Sequence, residues 1–205
     1  MVSIIDYGAG NIKSVENAVR YLGHEAVLTR DPAVILSSDH CILPGVGAFG
    51  DACDRIREYG LENIINEVVK KEVPFLGICL GQQLLFDSSK ESDEVRGLGI
   101  LRGEIIEIPD TDAEGNYYKV PQIGWNNLRI KEGARLFKGI SGEPYVYFVH
   151  SYYLKAADRS IVAATTDYSV TIDASVECGN IFACQFHPEK SADVGMQILD
   201  NFLHI

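Results

Sequence analysis

The sequence predicts an α/β fold: a mostly parallel central sheet with helices on both faces and antiparallel additions in its second half. Three observations carry this. Short apolar runs alternate with helix-spaced patterns through the first half. The run Pro74-Phe75-Leu76-Gly77-Ile78 is apolar throughout, as in a strand buried on both faces. The length of 205 residues, 46% of them hydrophobic, suits one domain with a sizeable core.

Taken in order, residues 2–6 read as a strand, 12–22 as an amphipathic helix and 25–29 as a strand. Residues 41–43 form a further strand, closed by Pro44-Gly45. Residues 51–59 and Leu61–Lys70 read as helices, and 74–78 as the buried strand. Ligands of such sheets bind at the carboxyl ends of the strands. In the second half, residues 105–108, 127–130, 145–149, 161–165 and 181–185 read as strands separated by Gly and Asp turns, expected to join the same sheet. Ala192–Leu203 has the apolar spacing of a closing helix. No internal repeat, low-complexity tract or linker divides the chain, so residues 1–205 read as a single domain.

Composition excludes several functions. With 29 acidic and 18 basic residues the formal net charge is −11, which disfavours a nucleic-acid binder and reads as a solvated acidic surface. Met1-Val2-Ser3-Ile4-Ile5-Asp6 carries neither a basic region nor a cleavage site, and no apolar run approaches the roughly 20 residues of a membrane span. A cytoplasmic protein without membrane association is expected. The five cysteines are odd in number and lack a C-x-x-C pair, so neither a disulfide framework nor a zinc site is indicated. No metal or cofactor is expected, and most cysteines read as small buried hydrophobes.

Cys79 is different. Gly77-Ile78-Cys79-Leu80-Gly81 has the spacing of a nucleophile elbow, G-x-S-x-G, with a thiol for the hydroxyl. A sharp turn between strand and helix lifts the nucleophile out of the sheet, and the residues two before and two after it must be small because backbones crowd there. Both are glycine. A helix starting near Leu80 would aim free N–H groups and its positive end at the sulfur, favouring the thiolate. The Leu80 N–H becomes one oxyanion donor. Alone, this motif leaves a structural cysteine open.

Far downstream, Gln185-Phe186-His187-Pro188-Glu189 follows the apolar run Ile181–Cys184. A cysteine nucleophile needs a base, and the base an orienting acceptor. His187 and Glu189 have those chemistries, and the proline between them fixes the backbone that aims both.

With both motifs in hand, the chain resembles the class I, triad-type glutamine amidotransferases over essentially its whole length and in motif order. The resemblance implies a flavodoxin-like domain in which Cys79 attacks the side-chain amide of L-glutamine, His187 shuttles the proton, Glu189 orients His187 and ammonia leaves. Gln82 departs from the methionine often found after the elbow glycine, a change of packing that removes no catalytic group. Gly45-Val46-Gly47-Ala48-Phe49-Gly50 matches the dinucleotide motif G-x-G-x-x-G, but it follows a later strand, and the region about 20 residues on is helical rather than a strand ending in an acid. In the resembled family this stretch is the oxyanion strand, whose N–H beside Val46 or Gly47 completes the hole with Leu80. Tyr7-Gly8-Ala9-Gly10-Asn11 lacks a third glycine and is weak as a phosphate loop.

Released ammonia is wasted without an acceptor site, and no residues remain to build one. A separate synthase subunit is therefore implied. Asp6-Tyr7-Gly8-Ala9-Gly10-Asn11, Pro121-Gln122-Ile123-Gly124-Trp125-Asn126 and Tyr147-Phe148-Val149-His150-Ser151-Tyr152 resemble the family members that dock on a (β/α)₈ cyclase of histidine biosynthesis. That resemblance places Gln83, Ser151 and Tyr152 on the glutamine substrate, and Asn11, Trp125, Tyr147 and Lys190 at the partner interface. From residue type alone Trp125 equally fits a core, and His150 fits a satisfied core histidine better than a second base. Gln122 stands where many members have histidine, which puts that interface contact in question. Three alternatives stay open: a paralogous subunit feeding another synthase, an anthranilate- or carbamoyl-phosphate-type subunit, and a non-enzymatic protein of the same architecture, which would not need His187-Pro188-Glu189.

Overall fold

The structure, a computed structural model, describes residues 1–8 and 12–205. Strand β1 (Val2–Ile5) leads into helix α1 (Ile12–Tyr21), followed by β2 (Ala26–Thr29), α2 (Pro32–Leu36) and β3 (His40–Gly45). Helices α3 (Phe49–Glu58) and α4 (Leu61–Lys70) precede β4 (Phe75–Cys79) and the short α5 (Leu80–Leu84). The second half holds β5 (Ser88–Ser89), β6 (Gly103–Glu107), β7 (Gln122–Asn127), β8 (Arg129–Ile130), β9 (Tyr145–His150), β10 (Tyr152–Ala156), β11 (Val162–Asp167), β12 (Thr171–Cys178), β13 (Ile181–Cys184) and α6 (Ala192–Leu203).

The central sheet has eight strands in the order β2-β1-β3-β4-β13-β12-β11-β8. The first five are mutually parallel, and β12, β11 and β8 add antiparallel. Alternation along the strands feeds two cores. Ile4, Ile42, Leu76, Ile78 and Phe182 point into one, shared with α1 and α6. Ile5, Leu43, Phe75, Ile181 and Ala183 point into the other, shared with α3, α4 and α5. The amphipathic helices turn an apolar stripe to their core; α4 buries Leu61, Ile65 and Val68 at helical spacing, each worth about 1.5–3 kcal/mol.

Two of the strands expected in this sheet leave it. The segment at 105–108 belongs to a three-stranded layer, β10-β6-β5, and the one at 145–149 to a separate ribbon, β7-β9. Each pairs with a strand that the sequence pattern does not announce, β10 and β7, which supplies its hydrogen bonds away from the central sheet. Residues 127–130 are likewise divided between β7 and β8, either side of Leu128. Helix α2 is also unannounced. Asp31 caps it, accepting from the Ala33 N–H at 2.8 Å, with Pro32 in its first turn.

Candidate active site

Cys79 ends β4 and stands at the turn into α5 with φ +55° and ψ −111°, a left-handed conformation for a non-glycine residue. Such strain costs about 1–3 kcal/mol and persists only where the surroundings over-determine it. Here the neighbours do. A Cβ on Gly77 would lie 2.7 Å from the Gly81 carbonyl oxygen, and one on Gly81 only 1.8 Å from that of Leu43. The two elbow glycines thus let α5 press onto β3 and β4 and force the turn. The helix starts at Leu80 as expected but has only five residues, so it presents the Leu80 N–H beside Cys79 without the field of a long helix.

The candidate base, His187, follows the neighbouring strand. Register pairs Ile78 with Cys184, so the chain leaving β13 emerges beside the elbow. His187 Nδ1 lies 2.8 Å from Glu189 Oε1, and both side chains are almost fully buried. That bond leaves Nε2 of the ring for Cys79. Burial acts to lower the His187 pKa, but hydrogen bonding to Cys79 and Glu189 outweighs it and raises the value to about 9. The turn is tied from behind. The His187 N–H donates to the Tyr147 carbonyl at 2.9 Å, the Tyr147 N–H to Ser191 Oγ at 3.0 Å, and that hydroxyl to the His187 carbonyl at 2.6 Å.

Cys79 and His187 open into a cleft of about 320 Å³ that also holds Val46, Gly47, Leu80 and Gln83. Gly47 has φ +103°, and a Cβ there would meet nothing within 4 Å, so a free, glycine-dependent peptide forms one lip. Ser151 and Tyr152 line the opposite part. A larger hollow of about 780 Å³ shares those two residues but contains none of Cys79, His187 and Glu189; the smaller cleft is the candidate because the thiol and the imidazole line it. Gln83 is buried, its Nε2 donating to the Tyr152 carbonyl at 3.2 Å and to Gln185 Oε1 at 3.0 Å.

Two residues escape a reading of the sequence alone. Glu91 lines the cleft and its carboxylate accepts the Phe49 N–H at 2.8 Å, at the start of α3; within the acidic run Glu91-Ser92-Asp93-Glu94 nothing singles it out. Gln185 donates from Nε2 to the Cys79 sulfur at 3.7 Å; its place next to the His187 motif is the one signal that could have found it. His150 is a satisfied core histidine. It is buried, with Nδ1 2.8 Å from the Tyr152 carbonyl and Nε2 2.9 Å from the Gln122 side-chain amide, and burial lowers its pKa to about 4.

The ribbon bears the other predicted residues. Trp125 pairs in register with Tyr147, their rings edge to face at 6.0 Å. Trp125 is 51% exposed, flanked by exposed Ile123 and Tyr145, so it belongs to a surface and not to the core. Gln122 turns the other way, inward onto His150, and offers nothing to that surface. Lys190 is exposed at the rim of the cleft. Asn11 lies outside the described residues.

The profile of the family described as Glutamine amidotransferase class-I matches residues 3–205. Among curated proteins, the chain is 46% identical over 205 residues to "Imidazole glycerol phosphate synthase subunit HisH" of Geobacillus sp. (strain WCH70), covering 100% of this chain and 97% of that one. It is 47% identical to the protein of the same name from Dehalococcoides mccartyi (strain CBDB1), covering 98% and 96%. Among solved structures, "Crystal structure of glutamine amidotransferase" superposes with a TM-score of 0.75 at 21% identity, covering 99% of this chain and 97% of that one.

Proposed function

Because the chain belongs to the class-I glutamine amidotransferase family, we propose that Cys79, His187 and Glu189 form a triad that hydrolyses L-glutamine. The protein is the glutaminase subunit of an imidazole glycerol phosphate synthase and serves histidine biosynthesis. The observation that carries the site is the strained elbow: Cys79 at φ +55°, next to a buried His187–Glu189 pair delivered by the adjacent strand.

The geometry suits the chemistry step by step. The Cys79 thiolate attacks the side-chain amide carbon of glutamine, and the carbonyl oxygen becomes an oxyanion held by the Leu80 N–H and that of Val46 or Gly47. The His187 imidazolium gives its proton to the leaving nitrogen, the C–N bond breaks and ammonia departs. Water then loses a proton to His187 and attacks the thioester, and glutamate leaves as the thiolate is restored. Glu189 holds Nδ1 throughout. Gln83, Ser151 and Tyr152 hold the substrate, with Glu91 placed to take its ammonium group.

The acceptor chemistry lies elsewhere. The partner is a (β/α)₈ cyclase that combines ammonia with a phosphoribulosyl-formimino carboxamide nucleotide, giving imidazole glycerol phosphate and aminoimidazole carboxamide ribotide. Trp125, Tyr147 and Lys190 face it in a heterodimer, and the resemblance assigns Asn11 to the same interface. The whole chain acts as one domain in the cytoplasm; among the described residues no helix is long and apolar enough to cross a membrane. The test is glutamate release from L-glutamine, with and without the purified cyclase and its nucleotide. Glutamate release stimulated by the loaded cyclase is expected, matched by imidazole glycerol phosphate when the nucleotide is present and by free ammonia when it is absent; no glutamate under either condition would overturn the reading.

A further inference from the structure

We propose that Gln185 is a further catalytic residue: its side-chain amide donates a hydrogen bond to the Cys79 sulfur and favours the anionic nucleophile. The inference rests on the glutaminase reading above and deepens it. Nε2 of Gln185 lies 3.7 Å from Sγ, and the residue is fully buried.

Which end of an amide faces a partner is normally an assignment. Here an acceptor-only group fixes it. The Tyr152 backbone carbonyl can only accept, so the end of Gln83 that lies 3.2 Å away must be its NH₂ group. That same nitrogen, 3.0 Å from Gln185, must meet the Gln185 oxygen. The Gln185 NH₂ is then left facing the sulfur. The chain of donors runs from sulfur to carbonyl without a mismatched pair, and His150 Nδ1 donates to the same carbonyl at 2.8 Å.

A thiol is a weak acceptor and a thiolate a strong one, so a fixed donor stabilises the charged form over the neutral form. His187 also supports the thiolate, but it surrenders its proton during each turnover. Gln185 has no proton to surrender. Its dipole faces the sulfur both when Cys79 attacks and when the thiolate is expelled from the thioester. The titratable groups that interact with the sulfur are His187, with Glu189 bonded to its ring, Tyr7 beyond the end of β1, and Cys184 in β13. Replacing Gln185 leaves all four in place.

The test uses the full chain with Gln185→Leu and, as an unbranched side chain of similar length, Gln185→Met. Alkylation of Cys79 by iodoacetamide is followed by mass spectrometry of its peptide at pH 7 and pH 10, and glutamine turnover is measured with the loaded cyclase. At pH 7 alkylation should fall about tenfold, the equivalent of one pH unit of lost thiolate preference. At pH 10, above the ordinary range of a cysteine thiol, the rates should converge. Turnover should fall in kcat by a similar factor with KM little changed. Wild-type alkylation at pH 7 overturns the proposal, as does an equal loss at both pH values, which a distorted pocket would give. Failure of both variants to fold also overturns it, by assigning Gln185 to the core. An alkylation difference without any wild-type glutamine turnover counts against the glutaminase reading alone.

Discussion

Cys79 and two histidines set what can be measured one residue at a time. Cys79→Ala should abolish glutamine hydrolysis, while the assembled complex still makes product from added ammonium salt, because only ammonia production needs the sulfur; retained glutamine-dependent turnover would refute the assignment. The histidines pull stability in opposite directions. His187, raised to about 9 from an ordinary 6.5, contributes stability that is complete below about pH 6.5 and is lost as pH rises through 9. His150, lowered to about 4, contributes stability that is present above about pH 6.5 and is lost as pH falls towards 4. Urea unfolding of His150→Gln should therefore show a deficit against wild type that narrows by about 2–3 kcal/mol between pH 7 and pH 4.5; a constant deficit would show that His150 titrates normally. Cys79, His187 and Glu189, which the structure brings together, could be picked out as candidates from the sequence because their spacing rules are local: two glycines around a cysteine, and one proline between a histidine and a glutamate. Glu91 and Gln185 were not, because their roles come from where the fold brings them rather than from their neighbours.

Among the elements, those with one clear apolar face declared themselves. Ala192–Leu203 is helical over the predicted span, and α4 likewise. Strand β12 did not, and its residues explain why. It buries Asp173 and Ser175 in the sheet, the carboxylate satisfied by Arg159 and the Ala156 N–H, the hydroxyl by the Ala183 carbonyl. A polar residue with a distant partner looks like a turn in sequence. The lip after β3 gives the prediction at this scale. Gly47 sits at φ +103°, whereas proline is confined near −65° and has no N–H. Gly47→Pro should thus blunt stimulation by the loaded cyclase, mainly in kcat. One oxyanion donor is worth about 10²–10³ in rate. Undiminished stimulation, or an effect confined to KM, would show that this peptide is not an oxyanion donor.

For the molecule as a whole, the exposed ribbon and the catalytic turn are mechanically one piece. Tyr147 shows its ring beside Trp125, and its backbone bonds to His187 and Ser191. Trp125→Ala should weaken cyclase binding or coupling by about 1–3 kcal/mol, as aromatic hot spots do, with folding retained; wild-type calorimetry and wild-type stimulation together would remove Trp125 from the interface. The ribbon itself was hidden because β7 interrupts its apolar pattern with Gly124, Asn126 and Asn127. The position of β13 has one more consequence. It is the last strand in the chain, yet it lies between β4 and β12 in the middle of the sheet. Until it inserts, β4 is an open edge and the thiol has no base beside it. Contacts this distant in sequence close late and slowly, so a chain emerging from the ribosome carries an unpaired apolar edge that invites association with other chains. The same delay keeps the nucleophile idle: hydrolysis cannot begin before the sheet is whole, and an unfinished chain destroys no glutamine.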